Sequence, residues 1–323
     1  MEFRILVTGG AGFIGSEFVR QAVSSCYKVI VLDKLNYAGD LSRLQSLKGK
    51  YKFYKCDICN QKLFNSILKR EKPSAVVNFA AETHVDRSIQ DATPFIETNI
   101  RGVQVILESV LDNKIGRFLQ ISTDEVYGEI KKGSFSETSP LQASSPYAAS
   151  KAAADLLIKS YIRTYSLPVI IVRPCNNYGP WQYPEKMIPV AITSLFKGKK
   201  IPIYAKGENV REWLFVSDCA RGILLILKRG RIGQVYNLGS GQERKNIDTA
   251  KEILKVMGRP INLIEFVKDR PGHDLRYSLN SSKIRNELGW SPRTDMKEGI
   301  KNTVEWYLNN QHWINRVIKG ERQ

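Results

Sequence analysis

The sequence predicts a doubly wound α/β fold: a parallel sheet covered by helices on both faces, with a second, smaller lobe. Three observations predict it. Short apolar strands alternate with helix-period segments through the first 175 residues. A glycine-rich turn, "VTGGAGFIG" (7–15), joins the first strand to the first helix. After Arg173 the rhythm gives way to "RPCNNYGPWQYPEKMIP" (173–189), a stretch rich in Pro, Gly, Asn and Tyr whose composition suits binding loops.

Taken in order, apolar strands are expected at 5–7, 29–32, 75–79, 118–121 and 169–172, and helices at 14–24, 61–70, 102–112 and 148–165. Further on, "VSDCARGILLILK" (216–228) is helix-like and "QVYNLGS" (234–240) strand-like, and both can return to the sheet. The expected division is therefore interleaved. Residues 1–175, with 212–241 returning to them, form a nucleotide-binding domain, and 176–211 with 242–323 form a substrate lobe.

Composition narrows the function. At 323 residues and 42% hydrophobic content the chain can fill a substantial core. No run approaches the ~18 apolar residues of a membrane span, and the start lacks the pattern of a secretory signal. A cytoplasmic location is expected, with no membrane partner. Five cysteines are an odd number at low density, in keeping with a reducing compartment. Cys56 and Cys59 make a lone CxxC, and with three scattered histidines no metal site is expected. The net charge of +17 is distributed over stretches such as "LKGKYKFYK", "LFKGKK" and "LKRGR" without a nucleic-acid-binding signature, so a nucleic-acid partner is not expected.

Gly9, Gly12 and Gly15 lie where a strand passes into a helix. There the missing side chains let backbone amides approach a pyrophosphate, and the helix N-terminus favours its charge. Asp33 ends the second strand, placed to accept hydrogen bonds from an adenosine ribose and to repel a 2′-phosphate, which favours NAD over NADP. Lys34 beside it weakens that preference. Asp57, after a third candidate strand, can face the adenine or be a turn residue.

"YAASK" sets Tyr147 and Lys151 four residues apart, on one face of a helix. A phenol with pKa near 10 is a poor base at neutral pH, and a nearby ammonium would stabilise its phenolate. "STDEVYG" (122–128) places the hydroxyl of Thr123 before two acids, Asp124 and Glu125, at the end of a buried strand. Successive strand residues face opposite ways, so for both acids to reach one ligand the chain must leave strand geometry by about Thr123.

GxxGxxG at 9–15, the strand-end Thr123 and YxxxK at 147–151 resemble the extended short-chain dehydrogenase/reductases, which have a Rossmann-like fold. "DKLNYAGDLSRL" (33–44), "AAETHVDRSI" (80–89), "NNYGP" (176–180), "PEKMIP" (184–189), "NVREWLFVSD" (209–218) and "RPGHDLRY" (270–277) are similar to the dTDP-glucose 4,6-dehydratase family within them. These stretches span nearly the whole chain. The resemblance implies a tightly held NAD that is regenerated each turnover, a nucleotide-sugar substrate and a homodimer, with helices at 99–112 and 146–166 as possible contacts. It implies that Tyr147 takes a proton from the sugar O4 while Thr123 holds that oxygen. Glu125 is then the base at C5, Asp124 the acid at O6, and Lys151 supports Tyr147 and a cofactor ribose. Phe13, Ile14, Ile58, Ala80, Ala81 and Asn99 are implied as further cofactor contacts. Asn177, Lys186, Met187, Pro202, Tyr204, Arg211, Asn246, Arg270 and His273 are implied around the nucleotide diphosphate, and His84 and Arg87 near the sugar. His84 can equally be a satisfied structural histidine, His273 a turn residue, and Arg211 a surface partner of Glu212 or Asp218.

The chain departs from the family at Ala205 and Lys206, where Gly-Asp is usual, at Cys219, where histidine is common, and at Ala148, where serine is frequent. Deoxysugar supply for a surface polysaccharide or glycosylation is the implied pathway. The rival readings are the same reaction on UDP-glucose or UDP-N-acetylglucosamine, a nucleotide-sugar 4-epimerase, which has no use for two acids after Thr123, and a silent NAD-sensing or nucleic-acid-binding protein.

Overall fold

The computed structural model describes residues 3–319. Apolar, largely β-branched runs form β1 (Arg4–Thr8), β2 (Lys28–Asp33), β4 (Ala75–Asn78), β5 (Phe118–Ile121) and β6 (Val169–Pro174), each buried almost throughout. Burial on both faces is what a parallel sheet under two helix layers requires. β3 (Tyr51–Lys55) differs. Its exposed lysines alternate with half-buried aromatics, as suits a charged edge strand.

Later strands are β7 (Asn176–Tyr178), β8 (Ile201–Tyr204), β9 (Val210–Phe215), β10 (Val235–Leu238), β11 (Glu243–Lys245) and β12 (Ile264–Val267). Seven strands make one sheet in the order β10-β6-β5-β4-β1-β2-β3, and every pair in it is parallel. Along β1, Ile5 and Val7 face a layer containing Phe18, Ile223 and Leu227, and Leu6 faces a layer of Phe64, Ile67, Ile106 and Ile158.

β10 and the helix Val216–Arg229 return to this sheet. The strand pairs with β6, and Gln21 on the helix Phe13–Ser24 donates to the Ser217 carbonyl at 2.9 Å. The return starts at 216 rather than 212, because β9 pairs with β7 and β11 in a separate three-stranded sheet. That sheet, the β8–β12 pair and the C-terminal helices share a core with Tyr178, Ile192, Trp213, Ile300 and Trp313.

Candidate active site

The cofactor cradle follows from topology. β1 feeds strands on one side of the sheet and β4 on the other, and the cleft lies beyond the C-terminal ends at that reversal. Gly9 has φ +65°, and a Cβ on it would stand 2.5 Å from the Ala80 nitrogen; one on Gly15 would stand 2.2 Å from the Gly9 carbonyl oxygen. No side chain fits at either position. Gly12, Asp33, Lys34, Asp57, Ile58, Ala80 and Ala81 line the cleft with Gly9, and so do Asn36, Gly39, Phe79 and Thr98, which sequence reasoning missed. Phe13 and Ile14 open the adjoining helix, half-buried.

The Asp33 carboxylate accepts from the backbone N–H groups of Ala11 (3.0 Å) and Leu35 (2.8 Å), which fix it at the rim. Burial raises its pKa, and those amides with Arg43 and Lys34 oppose the rise. Lys34 lies 3.3 Å from Glu82 and 3.8 Å from Asp57, so its charge is shared with two other carboxylates. Asn99 lies in a π-helical turn, Ile96–Arg101, and its side chain is taken up by the protein. Its oxygen accepts from Glu82 N–H (3.0 Å), and its amide donates to the Glu82 carbonyl (3.0 Å) and Ser150 hydroxyl (2.9 Å). Asn99 holds loop and helix together, and both its donors are used. Glycine cradle and fixed acid together fit a dinucleotide.

The catalytic candidates converge beside this cleft. β5 ends at Ile121, and Asp124–Tyr127 is a 3₁₀ turn whose N-cap is Thr123, accepting from the Glu125 N–H at 3.3 Å. The tighter turn replaces strand alternation, as two acids at one site require. Asp124 is 2% exposed. One of its oxygens takes a hydrogen bond from Thr123 (3.2 Å), and the other has no partner among the described residues. Its pKa is raised well above the ordinary range by burial and by the carboxylates of Glu125 and Glu212. Burial also raises Glu125, but Lys186, Arg270 and Arg211 oppose it. Both carboxyls are thus shifted towards the protonated form, Asp124 further than Glu125, whose three cationic neighbours hold the rise back.

The helix Pro146–Tyr165 begins where capping dictates: the Ser145 hydroxyl accepts from the Ala148 N–H (3.1 Å), and Pro146 occupies the first turn. Tyr147 and Lys151 therefore enter the site from its first turns, both buried. The Lys151 ammonium donates to the Ile121 carbonyl at 2.6 Å, and burial pushes its pKa down to about 8. The Tyr147 phenol is shifted up by burial and by Glu125, against a hydrogen bond with Thr123. The expected easing of this phenol by Lys151 is not seen. Burial dominates, and the ammonium is directed at the strand end.

Of the substrate candidates, Lys186, Arg211 and Arg270 come together around Glu125. The Lys186 ammonium donates to the Thr83 carbonyl (2.7 Å). Arg211 pairs with neither Glu212 nor Asp218; it is buried over the Tyr277 ring, 4.4 Å from its centroid, and donates to the carbonyls of Val210 (2.8 Å) and Asp274 (2.9 Å). Arg270 pairs with Asp86 at 3.2 Å, and the Tyr204 hydroxyl donates to the same carboxylate at 3.0 Å. His273 contacts Asp269 at 2.6 Å and packs its ring edge-on against Tyr204. The side-chain oxygens of Asn177 and Asn246 are buried without a partner among the described residues. Met187 is half-buried at a helix start, and Pro202 is exposed on β8.

His84 and Arg87 serve local structure. The His84 ring accepts from the Arg87 N–H (3.4 Å), capping the helix Val85–Gln90, and burial with nearby Lys186 pushes its pKa down to about 4. The Arg87 guanidinium lies 4.0 Å from the Tyr37 ring centroid and 3.5 Å from Glu185. Sequence reasoning missed Asp86, Glu185 and Glu212. An i,i+4-style motif could flag none of them, because their partners lie far away in sequence.

Comparison with known proteins agrees with this geometry. The family model described as GDP-mannose 4,6 dehydratase matches residues 6–303. A dTDP-glucose 4,6-dehydratase of Streptomyces niveus is 50% identical over 318 residues, covering 96% of this chain and 94% of the relative. The structure of a dTDP-glucose 4,6-dehydratase from Streptomyces venezuelae with NAD bound superposes with a TM-score of 0.95 at 46% identity, covering 98% of this chain and 100% of that one. A UDP-glucose 4-epimerase from Thermotoga maritima gives a TM-score of 0.90 at 29% identity, over 96% of this chain and 100% of that one.

Proposed function

The chain belongs to the dTDP-glucose 4,6-dehydratase family, and from that premise we propose that it converts dTDP-glucose into dTDP-4-keto-6-deoxyglucose with NAD as its resident cofactor. The observation that carries this reading is the pair Asp124 and Glu125, set within one turn beside Thr123 and Tyr147, with only Glu125 facing three cations that oppose the protonation burial favours in both. An epimerase needs the hydroxyl and the phenol but no second acid.

In this reading Tyr147 accepts the proton of the sugar O4, and Thr123 holds that oxygen. The glycine cradle, Asp33 and Lys151 would hold NAD, which when bound would supply the hydride chemistry at C4 and C6. The resulting ketone acidifies the C5–H. Glu125 removes that proton, Asp124 protonates the C6 hydroxyl, and water departs. A proton then returns to C5, so the sugar loses one water and undergoes no net oxidation. Lys186, Arg211 and Arg270 bind the diphosphate, and the free acceptors of Asn177 and Asn246 face the nucleoside. The large sheet with residues 216–241 serves as the cofactor domain, and the remainder after 176 as the substrate lobe.

The chain acts as a homodimer in this reading, through the face where Ile96 (52%) and Leu156 (58%) are exposed, and light scattering tests it. A cytoplasmic location is supported by five unpaired cysteines. The deciding experiment is mass spectrometry of dTDP-glucose, UDP-glucose and UDP-N-acetylglucosamine after incubation without added cofactor. Loss of one water from dTDP-glucose is expected. Loss from a UDP-sugar alone reassigns the nucleotide, and unchanged mass in all three overturns the dehydratase reading.

A further inference from the structure

The charge of +17 looks scattered along the sequence, yet the fold gathers a group of cations on one face. In a parallel sheet all strands start on one face, and here that face is opposite the cleft. Backbone hydrogen bonds knit it together: Lys28 N–H to the Phe3 carbonyl, Val76 N–H to Arg117, Phe118 N–H to Pro168 and Gly233 N–H to Val169. Arg4, Lys28, Lys72, Lys114, Lys228 and Arg229 are all exposed on it. Lys228 and Arg229 close the helix Val216–Arg229, where cations complement the helix dipole. Lys72 and Lys114 stand at the C-terminal ends of the helices Gln61–Glu71 and Gly102–Asp112, placed the same way, and Arg4 opens the first strand. Acids are sparse beside them. Glu71 is buried and engaged by Lys52 and Tyr54, Glu287 takes Arg231 and Tyr236, and Asp112 is exposed.

Two features identify the partner. The links from helix to strand are short: 25–27, 72–74, 113–117, 166–168 and 230–234. Nothing long enough to enter a nucleic-acid groove projects from the face. Large apolar side chains also stand among the cations, with Phe3, just before β1, 44% exposed and Ile232, in the link before the edge strand β10, 48% exposed. A broad basic plane with isolated apolar side chains matches a negatively charged bilayer, where lysine and arginine meet headgroups and apolar groups enter the interface. We propose that the strand-start face of the large sheet docks this enzyme on an anionic lipid surface, leaving the catalytic cleft open to solution. Such peripheral docking needs no spanning segment, and among the described residues no helix is long and apolar enough to cross a membrane.

The test is cosedimentation of the full chain with phosphatidylcholine vesicles, with or without phosphatidylglycerol, at physiological salt. Binding is expected only to the vesicles with phosphatidylglycerol. A triple variant, Lys114→Asn with Lys228→Glu and Arg229→Glu, should lose about tenfold or more of that binding. A charge-matched control on the smaller lobe, Lys200→Asn with Lys255→Glu and Lys297→Glu, should keep it. Neither set touches the site, so both variants should retain the wild-type dehydration rate, which reports that they fold. Equal binding to neutral vesicles, or equal loss in triple variant and control, overturns the proposal. So does loss of vesicle binding to a competing DNA duplex that the face-directed variant no longer binds, which would assign the face to nucleic acid.

Discussion

In the proposed reaction the Asp124 carboxyl gives a proton while its neighbour Glu125 takes one. Burial and two nearby carboxylates raise the Asp124 pKa, so the folded state binds this proton more tightly than the unfolded chain. Stability therefore falls as pH rises from the unfolded value towards the folded one. Asp124→Asn should slow dehydration by about 10²–10⁴-fold, as expected for loss of a general acid. The same variant should raise Tm at neutral pH, with the gain shrinking towards pH 4; a gain equal at every pH would mean that the carboxyl carries no such cost. Glu125→Gln is the complementary case. It should still bind dTDP but stop both water loss and entry of solvent deuterium at C5, read by mass spectrometry. Undiminished exchange at C5 would remove Glu125 from the role of base.

At the scale of elements, caps and glycines decide where functional side chains emerge. His84 caps the helix carrying Asp86, and with its pKa near 4 it is neutral at physiological pH. Its folded pKa lies below the unfolded value, so this contribution is present above about pH 6.5 and is lost as pH falls towards 4. His84→Ala should cost about 1 kcal/mol, whereas His84→Asn, a good cap, should cost a few tenths; equal losses in urea denaturation would exclude the capping role. The strands legible in the sequence were the apolar runs, since burial on both faces demands an uninterrupted apolar pattern. β3 was faint because an edge strand alternates with lysine. The β11-β9-β7 sheet was not legible, because its outer strands have three residues each and pair across distant stretches of chain. Register of that kind is set by tertiary packing rather than by local periodicity.

Across the whole molecule, the site was legible as motifs but not as an electrostatic arrangement. Thr123, Asp124, Glu125, Tyr147 and Lys151 could be picked out by spacing. That Glu212, held by the amides of Gly241 (2.6 Å) and Leu279 (2.8 Å), biases Asp124 emerges only once β9 is folded against the large sheet. The same long-range logic joins the lobes. Lys186 reaches the Thr83 carbonyl, Arg270 and Tyr204 share Asp86, and Glu129 accepts from the Leu275 N–H at 2.6 Å. Two of these contacts, those of Lys186 and Arg270, involve residues assigned to the diphosphate, so a nucleoside diphosphate should brace both lobes at once. At about 100 times its Kd, dTDP should stabilise the protein by about 2.7 kcal/mol through linkage, read as a rise in Tm. Added salt should reduce the rise by weakening the affinity. Arg270→Ala should keep the fold yet lose most of that rise at the same dTDP concentration, with KM increasing more than kcat falls. A full dTDP-induced rise in Arg270→Ala would show that the diphosphate is bound without it, and the link between substrate binding and lobe bracing would then rest on Lys186 and Arg211 alone.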